Sequence, residues 1–192
     1  MDLNMNMIFS SFQTSFNYLI SISSFDHFLI LLFVGSIFHL KNPKSYLSLI
    51  LALIIGSSIG FVLSNLNVLN FSSSSIKLAM AISFLAIGIH NMLSTNIIAN
   101  AIRYNFFALI GVVIGISLNS YFVRIYGSNF SFSKSIGFNL GIFAAYIAIT
   151  LSSLLLSNLL LLIFKMEKKS YYLAISGIGI GISLVLIYLR YK

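Results

Sequence analysis

Long apolar runs alternate along the chain with short polar breaks, and the spacing of the runs is the one that membrane-crossing helices require. Six runs stand out, at about 25–40, 46–66, 76–93, 106–126, 135–164 and 171–191. A helix needs roughly 20 apolar residues to cross about 30 Å of hydrocarbon, and the runs cluster around that length. Each break carries its own signal. Lys41-Asn42-Pro43-Lys44 holds the only proline, Asn67 to Ser75 is a polar loop whose last serine reads as a helix N-cap, and Lys165 to Lys169 closes the fifth run with three lysines. The fifth run is long enough to tilt strongly or to protrude from the bilayer. Ahead of the first run, Phe12 to Ile22 is too short and too rich in serine to cross, so it reads as an interfacial or re-entrant segment. With no basic residue before it and no small-residue cleavage pattern, a removable leader is not expected. The expected fold is all-α: a polytopic transmembrane helical bundle of about six spans in a single integral membrane domain, 1–192, without a recognisable internal repeat.

Composition sharpens this picture. Hydrophobic residues make up 59% of the chain and charged ones 7%, too few charges to coat a soluble domain of 192 residues. The net charge of +8 comes from basic residues scattered singly at span ends, so a lipid bilayer and not nucleic acid is the expected partner. Lys41, Lys44, Arg103, Lys165, Lys168 and Lys169 fall in the odd loops, which predicts both termini outside, although Arg124, Lys134, Arg190 and Lys192 lie on the opposite face. Without cysteine, any metal would have to be held by nitrogen and oxygen ligands.

Candidate chemistry centres on Asp26, the one carboxylate inside an apolar run. A charge in hydrocarbon costs at least ~2.5 kcal/mol on insertion scales and persists with a partner or a function. Asp26, Lys77 and Asn139 each fall in the opening turns of runs that start on the same side, so an Asp26–Lys77 ion pair is expected; the competing readings are that Asp26 caps its own helix and that Lys77 snorkels to the surface. Ser57 and Ser58 read as hydroxyls bonded within their own helix. His39 and His90 are expected at one membrane surface, which permits a bis-histidine haem. Small residues four apart, at Gly56 and Gly60, Gly111 and Gly115, Gly137 and Gly141, Gly177 and Gly181, read as helix-packing positions inside the bundle. No nucleophile with a paired base, acid/base couple or metal motif suggests an enzyme.

The pair Asp26-His27 followed by an apolar run resembles the first-helix signature of the HupE/UreJ family, bacterial membrane proteins regarded as nickel or cobalt permeases. His90-Asn91-Met92 resembles the close of that family's third helix, Gly115-Ile116-Ser117 with Asn119-Ser120-Tyr121-Phe122 its fourth-helix motif, and Phe138-Asn139-Leu140-Gly141-Ile142 the start of its fifth. The resemblance implies an inner-membrane permease for a divalent metal, nickel or cobalt, with Asp26 and His27 as the surviving candidate ligands. The departures are as informative. Ile20, Ser57, Ile114, Lys77, Phe143 and Tyr146 stand where the family has histidine, glutamate or glutamine, leaving Asp26, His27, Asn91 and Asn139 of its polar set. A divalent cation needs several imidazoles or carboxylates around it. Three functions therefore stay open: a cation permease with a degenerate site lined by Asp26, His27, Ser57, Ser58, Asn119 and Asn139; a non-transporting structural or accessory subunit acting with other membrane subunits or as a homo-oligomer; and a haem electron carrier.

Overall fold

The computed structural model describes residues 4–21, 24–37, 43–69, 71–93, 101–127 and 131–191. These residues form seven helices and no strand: α1 (Met5–Ile20), α2 (Phe25–Ser36), α3 (Pro43–Asn65), α4 (Ser73–Leu93), α5 (Ala101–Tyr126), α6 (Phe132–Phe164) and α7 (Lys168–Tyr191). The last five are each long and apolar enough to cross a membrane, and α1 with α2 supplies a sixth crossing if the two are one broken span.

That bent pair changes the expected first run. At 12 residues α2 is about 18 Å long, short of the hydrocarbon thickness, and its axis is inclined by 75° to that of α1. Serines make the break tolerable. Ser21 Oγ donates to the Tyr18 carbonyl at 2.7 Å, and Ser24 Oγ donates to the Leu19 and Ser21 carbonyls at 3.0 and 3.1 Å. Carbonyls freed by the end of α1 thus find partners without water. Elsewhere the helix starts follow ordinary rules. Pro43 occupies the first position of α3, where its missing N–H costs nothing. Ser72 and not Ser75 caps α4, because Ser72 Oγ accepts from the Ser75 N–H at 3.1 Å.

Glycine–backbone contacts set the helix directions. A methyl group built on Gly56 or Gly60 of α3 would lie 2.8 Å from the Ala108 or Val112 carbonyl carbon of α5, so α3 and α5 run parallel. Gly137 and Gly141 of α6 meet Ile8 and Phe12 of α1 in the same way, at 2.8 and 3.0 Å, so α1 and α6 are parallel too. Farther along α6, Ser153 Oγ donates to the Leu32 carbonyl and Ser157 Oγ to that of Ser36, at 2.9 Å for the latter, which lays α2 along the same helix in the same sense. The α4–α7 pair is antiparallel, with Gly88 against Ile180 and Lys77 against Arg190. Small residues allow these approaches where no hydrophobic effect draws helices together. Gly177 and Gly181 depart from the expected pattern: no heavy atom lies within 4 Å of a Cβ at either, because the packed face of α7 is the one carrying Ser176, Gly179 and Ser183.

Candidate functional site: the α3–α6 seam and the Asp26 ion pair

Asp26 lies in the first turn of α2, where the helix dipole favours a carboxylate, and its partner is Arg190. Arg190 Nη2 donates to Asp26 Oδ1 at 2.5 Å while Nη1 donates to the Lys77 carbonyl at 2.6 Å. The expected Asp26–Lys77 pair is thereby corrected. Lys77 offers its backbone carbonyl while its side chain belongs to an exposed residue, and the cation comes from the last turn of α7. Sequence topology contained a signal for this, because the six expected runs bring the end of the last to the same membrane face as the start of the first, at Phe25, and Arg190 is the basic residue of that last turn.

His27 points elsewhere. It is buried, its ring meets the edge of Tyr18 at 6.0 Å, and Tyr18 stacks on Tyr121 at 3.5 Å. Its Nε2 has no partner among the protein atoms. Asp26 and His27, adjacent in sequence, therefore serve different contacts, and among the described residues no three His, Cys, Asp or Glu side chains gather to hold a metal ion. The residues present do not fit a nickel or cobalt site. The haem reading gains nothing either: His90 stacks on Phe106 at 4.7 Å, and His39 lies outside the described residues.

The remaining polar candidates sort by location. Asn91 accepts from Arg103 Nη2 at 3.2 Å where α4 ends and α5 begins. Ser58 Oγ donates to its own helix at the Ile54 carbonyl, 2.9 Å away. Asn119 bridges α5 to α3 by donating to Ser64 Oγ at 3.0 Å, with its Oδ1 left without a partner.

Ser57 and Asn139 fall on a feature that sequence reading did not assemble, a ladder of neutral polar side chains between the antiparallel helices α3 and α6. At the end nearer the α3 C-terminus, Asn65, Ser135 and Asn139 border a largely apolar groove of about 260 Å³, with Asn139 Nδ2 donating to the Ser135 carbonyl of its own helix at 2.9 Å. One step deeper, Phe61, Phe122 and Phe138, all buried, close the seam with ring centroids 5.1 to 5.7 Å apart. Below them the Tyr146 hydroxyl, fully buried, lies close to Ser57 without completing a hydrogen bond to it. Ser57 Oγ itself donates to the Ile54 carbonyl at 3.0 Å. Deeper still, Tyr46 OH and Thr150 Oγ1 hydrogen-bond across the seam at 2.8 Å. A buried hydroxyl without a partner forfeits a few kcal/mol of desolvation, so Tyr146 marks a place where a hydrogen-bonding guest gains.

No protein-family model, curated protein or solved structure matches the chain, so the resemblance to the HupE/UreJ family rests on the quoted residues alone.

Proposed function

We propose that the chain is a membrane permease for a small, uncharged polar solute that moves along the α3–α6 seam. The observation that carries this reading is the seam itself: a groove bordered by Asn65 and Asn139, aromatic closure, orphaned Tyr146 hydroxyl and Tyr46–Thr150 bridge in succession, with no ionised group among them. Buried, incompletely satisfied polar groups lining a bundle interior are costly in a membrane and mark solute paths. The HupE/UreJ resemblance supports the permease class. Its metal cargo is replaced here by a neutral one, because Asp26 already faces Arg190 and a cation in the seam would meet no carboxylate. The basic-residue asymmetry supports an orientation with the Arg190 end outside, and the HupE/UreJ resemblance supports a bacterial inner membrane.

Liposome reswelling in gradients of urea, glycerol or acetamide tests the reading. At least one solute should enter faster than into protein-free vesicles, faster again with Phe138→Leu, which thins the aromatic closure, and more slowly with Tyr146→Phe. Entry of nickel alone, read by an internal chelating dye, would return the cargo to a divalent cation. No flux of any probe would overturn permeation in favour of the second reading, a non-transporting structural or accessory subunit, which the neutralised Asp26 favours.

A further inference from the structure

The helices fall into two sets of three whose contacts repeat with reversed direction. The first set is α1, α3 and α4; the second is α5, α6 and α7. Because α1 parallels α6, α3 parallels α5, and α4 opposes α7, each helix of the second set runs against its counterpart in the first. The middle helix of each set carries a glycine pair, Gly56 and Gly60 in α3, Gly137 and Gly141 in α6. Each pair receives the backbone of the first helix of the other set: Ala108 and Val112 in one case, Ile8 and Phe12 in the other. A single register shift carries Ile8 and Phe12 onto Ala108 and Val112. The same shift carries Ser11 and Ser15, both fully buried, onto Gly111 and Gly115, so the small residues on the returning side coincide as well. In the third helices a second shift carries the buried Ile76, Ala81 and Gly88 onto the buried Tyr171, Ser176 and Ser183. Helix α2 has no counterpart and fills the space against the C-terminal half of α6.

Resting on the permease reading, we infer that the bundle is an inverted repeat of two three-helix units. The pseudo-twofold axis lies in the membrane plane and passes through the α4–α7 contact and the α3–α6 seam, so the two units interlock, each middle helix packing on the first helix of the other, with the seam between the two middle helices. Solute sites of permeases built this way lie between the repeats near mid-membrane, beside interrupted helices, and open alternately to the two faces as one group of helices moves against the rest. The interrupted helix here is α1–α2, and its Asp26 takes part in the bond that ties the units at one end. Arg190 of the second unit grips the Lys77 carbonyl of the first and Asp26 of the unpaired α2, holding the Arg190 face shut.

The test places Ser57→Cys in the cysteine-free chain, in sealed vesicles of known orientation, and measures labelling by a membrane-impermeant thiosulfonate applied to either face. Adding Arg190→Gln or Asp26→Asn should speed labelling from the Arg190 face at least about tenfold and slow it from the other. Folding of each variant is checked by its elution as a single species, and one folded variant suffices. As a second measurement, Lys77→Cys with Tyr191→Cys, cross-linked by a bifunctional thiol reagent, should lock that face and stop flux. Labelling unchanged in the folded variants, or rising equally from both faces, overturns the inference, as does flux that survives the cross-link. Solute flux in the same vesicles separates the two ideas: flux without one-sided exposure refutes alternating access and leaves the permease reading, and one-sided exposure without flux does the reverse.

Discussion

Alanine at two glycines of the same sequence pattern should move stability in opposite directions. At Gly115 a new Cβ would lie 2.7 Å from the Phe61 nitrogen and 2.8 Å from the Ser57 carbonyl carbon, both backbone atoms that cannot rotate aside. The α3–α5 pair must then separate, at a cost near the upper end of the ~1–3 kcal/mol typical of overpacking. Roughly 1 kcal/mol returns because alanine is the better helix former. The net loss is about 2 kcal/mol, a change of roughly 30-fold in the folded-to-unfolded ratio. At Gly181 nothing lies within 4 Å, so only the helix-forming gain remains, up to ~1 kcal/mol. Gly179 is an internal standard, since its Cβ would meet the Phe33 ring at 2.6 Å, a side chain with some freedom to turn; its alanine variant should fall between the other two. Graded unfolding in SDS mixed micelles, followed by circular dichroism, reads all three. Equal stability of Gly115→Ala and Gly181→Ala would refute the packing argument.

Two further outcomes follow from named contacts. Asp26→Asn and Arg190→Gln should each lose about 2–4 kcal/mol in the same assay, slightly below the range for fully buried pairs because the two side chains keep 21% and 16% of their exposure. The double variant should lose much less than the sum, and a coupling below ~0.5 kcal/mol would show that the pair does not form in the folded membrane protein. Tyr46→Phe should cost about 1 kcal/mol by breaking the bond to Thr150, whereas Tyr146→Phe, whose hydroxyl has no partner, should be neutral or stabilising; the reverse order would mean the seam is closed differently.

Membrane class and the five long helices were legible because apolar run length answers directly to bilayer thickness. The break before α2 was legible only in part, as a serine-rich segment too short to cross, since what decides between a surface helix and a broken span is whether Ser21 and Ser24 find the carbonyls of α1. Glycine spacing read correctly as small-residue pairing at Gly56, Gly111 and Gly137 and misread at Gly177 and Gly181, because spacing identifies a face without saying that a neighbour covers it. Arg190 was less visible for a similar reason: runs that start on the same side suggested Lys77, while the α4–α7 pairing that brings Arg190 to Asp26 sets the end of one run beside the start of another, far apart in the chain. The repeat escaped notice because equivalent positions are occupied by Ser in one unit and Gly in the other, alike in size but not in identity.

Charge and polarity are kept apart in this bundle, and the separation bears on what it can carry. The Asp26–Arg190 ion pair sits where α2, α4 and α7 converge, while the neutral ladder runs between α3 and α6. An arginine suits the first place better than a lysine, because its planar fork satisfies two acceptors on different helices at once, the Asp26 carboxylate and the Lys77 carbonyl, where an ammonium has no such fixed geometry. Held by both, the guanidinium leaves Asp26 with no spare attraction for a passing cation. A divalent ion moving along the seam would have to shed water against hydroxyls, amides and aromatic rings alone, and hard cations give up water only to charged or densely arrayed oxygen ligands. A neutral solute faces no such penalty. On the proposed path it would exchange hydrogen bonds with water for hydrogen bonds with Asn139, Tyr146 and Thr150, and the unmet hydroxyl of Tyr146 would then be a reason for the solute to enter.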